Sequence, residues 1–172
     1  MNASLSSNAR TPSEYVELIL QSQQHGRQEI GGQPIATAIQ ELALGSKRTH
    51  WIWYVFPQIE FKYQSETSRV FSVRYLGDIE ALLNHLETLA NLNEVFHLAA
   101  LSLDGPTARI SDVFGADERK VVSSATLFAG YLDRYPHTGC VALHSSADKL
   151  LVIAERCGLS CQETTKWLCS TD

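Results

Sequence analysis

Apolar residues recur every three to four positions along most of the chain, which is the spacing of amphipathic helices. The first such stretch begins at Thr11–Glu14, where a threonine cap, a proline in the first turn and a glutamate three residues after the cap indicate a helix start. We expect this helix to end at His25-Gly26. A flexible loop follows, and Pro34 then opens a second helix that Gly45 ends.

The later part of the chain has the same helical spacing. Apolar residues between Asp78, read as a helix cap, and Leu103 predict a long helix with a break at Asn91–Asn93. Further helices are expected at 107–114, 117–132, 145–157 and from Ser160 to Leu168. The total is about eight helices with little convincing strand. We therefore predict an all-α fold, with a single compact multihelical domain at 11–172 after a disordered N-terminus at 1–10.

The segment His50–Gln58, called the aromatic segment below, departs from this pattern. Four aromatic residues fall within six positions and leave no polar face. Propensity favours a strand over Trp51–Phe56, but a run this short is equally compatible with a buried helical turn. Because it has no polar face, the segment must be buried on most sides or line a pocket.

Composition and charge restrict the possible partners. The chain has 172 residues, of which 44% are hydrophobic and 19% charged, and its net charge is -5. An acidic chain without clustered Lys and Arg disfavours binding to nucleic acid or to an anionic membrane surface. No apolar run reaches the roughly 18 residues that a membrane-spanning helix needs. The sequence predicts no oligomeric state.

The four cysteines lack the spacing of a metal site, so we expect free thiols in a reducing compartment. The polar N-terminus has no apolar core of a signal peptide, and a cytoplasmic location is therefore predicted. Glycine-rich phosphate loops, zinc-protease motifs and serine-hydrolase motifs do not occur. Common nucleotide hydrolases, dehydrogenases, zinc proteases and α/β-hydrolases are thereby disfavoured, and we predict neither a metal nor a cofactor.

Two motifs follow one another along the chain. The first is Lys47-x-x-His50-Trp51-Ile52-Trp53-Tyr54-Val55-Phe56-Pro57-Gln58, followed by Ser65-x-x-Ser68-x-x-Phe71-Ser72-Val73. The second is Phe114-Gly115-x-Asp117-x-x-Lys120-x-x-Ser123-Ser124-x-Thr126-Leu127-Phe128. In this order and at this separation, over about residues 15–132, they resemble a bacterial family of small helical proteins. That family is a domain of unknown function, number 1810, and its members are sometimes mislabelled calpastatin.

The resemblance implies a mainly helical fold, and hence a helical or irregular state for the aromatic segment. It implies no reaction, because no activity is established for the family. The chain is a divergent member, since Phe61–Tyr63 stands where the family usually has Gly-Leu-Gly. Glycines at such a place can let the backbone approach a ligand closely, so this contact is in doubt here.

The polar and aromatic residues of the two motifs are the candidate site. We interpret His50 and Asp117 as candidate catalytic groups. The candidate ligand contacts are Trp51, Trp53, Tyr54, Gln58, Ser65, Ser68, Lys120 and Ser124. Each has a structural alternative: a hydrogen-bonded histidine, core aromatics, an amide that fixes a loop, a serine cap, and an ion pair three residues apart on one helix face.

Three functions fit these observations. The first is a site for a nucleotide-like or sugar-phosphate ligand between residues 50–58 and the helix starting at Asp117, with or without catalysis. The second is a non-catalytic protein-interaction module whose motifs are architectural. The third is DNA binding through a helical hairpin at 147–169, which has helix-turn-helix spacing. Its second helix offers only Lys166 as a cation, which favours a hairpin that closes the core over DNA binding.

Overall fold

Ten α-helices with short connections make up the part of the chain that the structure describes. The computed structural model describes residues 10–62 and 64–171, and over those residues it contains isolated β-bridges but no strand. The helices are α1 Pro12–His25, α2 Ile35–Ala43, α3 Ile52–Val55, α4 Glu66–Val70, α5 Leu76–Asn84, α6 Leu86–Ser102, α7 Ile110–Phe114, α8 Glu118–Arg134, α9 Val141–Arg156 and α10 Gln162–Ser170. The all-α prediction is confirmed. Of the predicted disordered N-terminus at 1–10, residues 1–9 lie outside the described residues.

The core lies where α6, α8 and α9 pack against one another, with α2 against α6 and α10 against α8. Its centre is aromatic: the ring of Phe96 lies 4.9 Å from Phe56 and 5.7 Å from Phe128, between ring centroids. Each of these rings is fully buried, which contributes roughly 2–3 kcal/mol per side chain. The aromatic segment and α8 therefore meet in one continuous core.

The start of α1 is the one that the sequence predicts. The backbone N–H of Thr11 donates to the Glu14 carboxylate at 2.7 Å, and the backbone N–H of Glu14 donates to the Thr11 hydroxyl at 3.3 Å. Gly26 ends the helix with φ +71°, in the left-handed region. A Cβ there would lie 2.4 Å from the carbonyl oxygen of Gly32, so only glycine fits.

Two predicted boundaries are wrong. The break between α5 and α6 lies at His85, whose backbone is extended, and not at Asn91–Asn93. Thr88 fixes this break, because its buried hydroxyl donates to the carbonyl oxygens of Leu82 and His85. Asp78 is not a cap but a fully buried residue inside α5. These three observations show that local hydrogen bonds, more than asparagine propensity, decide where the long helix ends.

The remaining helix starts are also shifted from their predicted places. α7 begins at Ile110, three residues after the predicted start, because the backbone N–H of Arg109 donates to the Asp112 carboxylate at 2.9 Å. α9 begins at Val141, ahead of the predicted cap Ser145. α10 begins at Gln162, and no side chain caps it.

Candidate functional site

The aromatic segment divides into side chains that enter the core and one that does not. Trp51 is fully buried, with its indole Nε1 donating to Glu41 at 2.8 Å. Tyr54 is also fully buried, and its hydroxyl bonds to the carbonyl oxygen of Gln33. Both rings lie in the core, as the structural alternative expects, and their contact with a ligand stays a prediction. Trp53 alone among the three is partly exposed.

Glu41 in α2 holds the start of the aromatic segment in place. Its carboxylate is only 7% exposed and accepts from the backbone N–H groups of Arg48 and Thr49, the Thr49 hydroxyl and the Trp51 indole. Burial raises the pKa of Glu41, but these donated hydrogen bonds outweigh it and hold the pKa below its usual range. Glu41 is not among the site residues predicted from the sequence. The sequence feature that could have identified it is an acidic residue beside Ala38 and Leu42 on the apolar face of α2.

Trp53 lies at a cavity of about 640 Å³, called the Trp53 cavity below. Four parts of the chain meet there: the aromatic segment, the loop leading into α4, the first turn of α8 and the start of α10. The lining residues are Trp53, Gln58, Phe61, Gln64, Ser65, Ser68, Arg119, Lys120, Ser160, Cys161, Gln162 and Glu163. A volume of this size accommodates a small-molecule ligand.

Two buried donors at the Trp53 cavity lack partners. Gln58 is 5% exposed, and its amide nitrogen Nε2 forms no hydrogen bond with the described residues. The indole Nε1 of Trp53 is likewise without a partner in that part of the chain. A buried donor left unsatisfied costs about 1–3 kcal/mol, so a ligand acceptor that reached either group would be stabilised by it.

Asp117, at the start of α8, links this helix to Lys47 just before the aromatic segment. One carboxylate oxygen lies 2.8 Å from the ammonium of Lys47, and the other accepts from Lys120. Half-burial raises the pKa of Asp117, but hydrogen bonds and charge from the two lysines outweigh it and hold the pKa below its usual range. Asp117 is thus an ionised carboxylate with both oxygens occupied, which suits a positioning residue better than a general acid or base.

Lys120 reaches the Trp53 cavity because Asp117 orients it. Its ammonium lies 5.7 Å from the centroid of the Trp53 ring, within the range of a cation–π contact. Lys120 can therefore form the predicted ion pair with Asp117 and line the candidate site at the same time.

The other candidate residues lie in different surroundings. His50 is exposed and stacks on Trp53, with ring centroids 6.4 Å apart, and no hydrogen bond joins it to Asp117 among the described residues. Ser65 caps α4 by accepting from the backbone N–H of Ser68 at 3.2 Å, and both serines line the Trp53 cavity. Ser124 is fully buried and is not part of the cavity lining. Its ligand contact stays a prediction.

The C-terminal hairpin of α9 and α10 closes the core. Thr164 is fully buried and its hydroxyl lies 3.0 Å from the hydroxyl of Ser123 in α8. Leu168 is also buried against this helix. The start of α10 forms one wall of the Trp53 cavity. This wall was not predicted from the sequence, because Arg119 and Cys161 are 42 positions apart and only the fold brings them together.

Membrane-spanning helices and metal-binding clusters are both absent from the described residues. Across residues 10–62 and 64–171, no helix combines the length and apolar character that crossing a bilayer requires. In the same part of the chain, no three His, Cys, Asp or Glu side chains form a group that could hold a metal ion.

Comparison with known proteins agrees with the motifs. A family described as "Protein of unknown function (DUF1810)" matches residues 18–141. The crystal structure of the conserved hypothetical protein Rv1873 from Mycobacterium tuberculosis is similar, with a TM-score of 0.61 and 25% sequence identity over 80% of this chain and 84% of that one. No curated protein matches. Because the family match spans well over half of the sequence, the chain belongs to the DUF1810 family of proteins of unknown function.

Proposed function

We propose that this protein binds a small ligand with a planar heterocyclic ring, of the nucleotide-like class, in the Trp53 cavity. The observation that carries this proposal is the unpartnered, buried amide of Gln58 in the same cavity as the Trp53 ring. A planar ring can stack on the indole while its acceptor atoms take the Gln58 amide. Of the two predicted ligand classes, the nucleotide-like one alone offers an aromatic ring with ring acceptors for the Gln58 amide.

The neighbours of Trp53 support this role by fixing the indole. Ile52 and Tyr54 on either side of it are buried, which anchors the short helix α3 in the core. The His50 ring is nearly parallel to the indole, with 20° between their planes, and the Lys120 ammonium lies within cation–π distance. A side chain ordered before binding loses little conformational entropy when a ligand arrives, which favours affinity.

The proposal concerns binding and assigns no reaction. Asp117 has both carboxylate oxygens occupied by lysines, so no free base is identified on the α8 side of the cavity. His50 lies against Trp53 without lining the cavity, and its catalytic role stays a prediction.

The other two functions receive less support. The charged residues of α10 are Glu163 and Lys166, whose charges cancel, so this helix has no net charge for phosphate contacts to DNA. Exposed apolar side chains such as Leu86 and Val141 occur, but such residues are ordinary on protein surfaces and identify no partner. A cytoplasmic location remains our inference from the four free cysteines.

A thermal-shift screen with matched tryptophan variants tests the proposal. The probes are the four common ribonucleosides and their 5′-monophosphates, with wild type, Trp53→Ala and Trp167→Ala compared, each against its own unliganded melting temperature. At a ligand concentration one hundred times Kd, binding stabilises the native state by about 2.7 kcal/mol. Trp167 is partly buried but does not line the cavity, so its variant controls for the loss of an indole.

We expect at least one probe to raise the melting temperature of wild type and of Trp167→Ala, and to lose most of this effect in Trp53→Ala. Gln58→Leu, which keeps the side-chain volume, should weaken the same probe. A screen without any shift, or a shift of equal size in Trp53→Ala, would overturn the proposal.

A further inference from the structure

We propose that the Trp53 cavity holds the phosphate group of its ligand at the N-terminus of α10, between Arg119 and Lys120. This inference rests on the proposed function and extends it, because it assigns the anionic part of the ligand to the start of α10, which lies outside both sequence motifs, together with Arg119 and Lys120 of the second motif. The phosphate would then lie at α10, which is outside residues 18–141, the segment that matches the family.

The start of α10 provides free backbone donors. The first N–H groups of a helix have no partner within the helix, and here they belong to Gln162, Glu163 and Thr164. Cys161 precedes them and contributes no side-chain cap, and none of the described residues accepts a hydrogen bond from them. Residues 160–163 line the Trp53 cavity. Backbone donors and the helix dipole together favour an anion at such a place.

Gln58 is the independent observation that points to a ligand there. It is 5% exposed, lines the same cavity and has an amide nitrogen without a partner in the described part of the chain. It comes from the aromatic segment, more than one hundred positions before α10, so its presence is not a by-product of how that helix starts. A ligand whose ring acceptors take the Gln58 amide and whose phosphate takes the α10 donors would satisfy both sets.

The charges at the cavity also favour an anion. Arg119 is exposed and forms no ion pair with any described residue, and Lys120 shares its charge only with Asp117. The carboxylate of Glu163 also lines the cavity and opposes anion binding. Asp117 is also shared with Lys47, so three cations stand against two carboxylates at this surface. The surface is therefore locally positive on a chain whose net charge is -5.

The alternative phosphate position at Ser65 and Ser68 is less suitable. There the backbone N–H of Ser68 already donates to the Ser65 hydroxyl, so this donor at the start of the short helix α4 is not available to a phosphate. The two serines are better placed to contact another part of the ligand from the opposite wall.

The test measures binding of inorganic phosphate, by thermal shift, against sodium chloride of the same ionic strength. We expect phosphate to stabilise wild type beyond the chloride control. Arg119→Gln should weaken phosphate binding about tenfold, because a hydrogen bond to a charged group is lost. Glu163→Gln should strengthen it, because the opposing carboxylate is removed. Lys166→Gln is the matched control, since Lys166 is a cation on the same helix that does not line the cavity.

The outcomes separate this inference from the proposed function. If phosphate does not stabilise wild type, or if Arg119→Gln and Lys166→Gln change its effect equally, the phosphate site is wrong. Nucleosides without phosphate would still bind through Trp53 in that case, and the proposed function would stand. If phosphate binds as expected but no nucleoside or nucleotide shift depends on Trp53, the phosphate site stands and the ring-binding proposal fails.

Discussion

Two carboxylates, Glu41 and Asp117, connect the start of the aromatic segment to the helices around it. Glu41 accepts from Trp51 and from the backbone just before it, and Asp117 binds Lys47, whose ammonium also donates to the carbonyl oxygen of Thr49 at 2.8 Å. Both carboxylates have a pKa below the usual range, so both are ionised at neutral pH. Charge buried in this way is stabilising only while its partners remain, which makes each residue sensitive to substitution.

Replacing Glu41 by Gln should reduce the free energy of unfolding by about 2 kcal/mol, because an amide cannot accept from four donors. Since the folded pKa of Glu41 is lowered, its contribution is fully present above the unfolded pKa of about 4.3 and is lost as pH falls through the folded pKa. Urea unfolding of wild type and Glu41→Gln at pH 7 and at pH 4 measures the loss of unfolding free energy and its dependence on pH. Wild type should lose more stability on acidification than Glu41→Gln does.

Glu94→Gln is the matched control, because Glu94 is exposed on α6. Its substitution should leave the free energy of unfolding within about 0.5 kcal/mol of wild type. Equal effects of the two substitutions would contradict the structural role of Glu41.

Asp117→Asn tests whether Asp117 positions lysines. Lys47 has a side chain only 9% exposed, and it would lose its carboxylate while remaining charged. We expect a loss of about 2 kcal/mol in unfolding free energy, measured by chemical denaturation at pH 7. Asp104→Asn serves as the control, because Asp104 is 88% exposed in its side chain. If the two variants unfold alike, the contact between Asp117 and Lys47 contributes nothing to stability.

At the scale of helices, glycines with nearly the same positive φ stand at the ends of α1 and α9. Gly26 has φ +71° and Gly158 has φ +69°. A Cβ at Gly158 would meet nothing within 4 Å, whereas one at Gly26 would lie 2.4 Å from a backbone oxygen. Gly26 also has ψ -171°, which only glycine adopts readily at a positive φ, so it is constrained by both conformation and space, whereas Gly158 is constrained by its φ alone.

Gly158→Ala should cost about 1–2 kcal/mol, the penalty of a left-handed conformation for a residue with a Cβ. Gly26→Ala should cost clearly more, because the backbone of Gly32 must also move. Thermal and urea unfolding of both variants measure the difference. Equal losses would mean that the chain near Gly32 adjusts freely and that the close approach has no energetic consequence.

Helix starts and ends were predictable where the signal is local. The capping box at Thr11–Glu14 and the glycine that ends α1 are complete within a few residues, and the structure has both. The break at His85 was not, because it depends on a threonine hydroxyl that reaches two carbonyl oxygens, one of them six residues earlier. The start of α9 was likewise hidden, since the short turn at 138–140 leads directly into it.

The candidate site, too, could be predicted from the sequence only where its signal is local. The composition of the aromatic segment marked it as unusual. In so short a segment, however, the spacing of apolar residues does not show which ring faces outward, so the sequence could not distinguish Trp53 from Trp51. Lys120 was predictable from its spacing to Asp117. Arg119 and the start of α10 were not, because their chemistry arises only from tertiary packing against the loop before α4.

For the whole molecule, the continuous core predicts that distant parts unfold together. Cys140 is 1% exposed at the start of α9, and burial raises the pKa of its thiol, so both access and ionisation are suppressed in the native state. Cys169 is exposed on α10. A variant that keeps only Cys140 therefore reports opening of the core, and one that keeps only Cys169 reports the intrinsic rate of labelling.

In a single cooperative unit, the labelling rate of Cys140 by a thiol reagent follows the population of the unfolded state. Adding Glu41→Gln to the Cys140-only variant should then accelerate labelling about thirtyfold, since about 2 kcal/mol is lost and 1.4 kcal/mol is a factor of ten. The same substitution should leave the Cys169-only rate unchanged. An unchanged Cys140 rate would mean that α8 and α9 open independently of α2 and the aromatic segment. In that case the two walls of the Trp53 cavity would belong to separate folding units, and ligand binding across them would itself be expected to couple their stabilities.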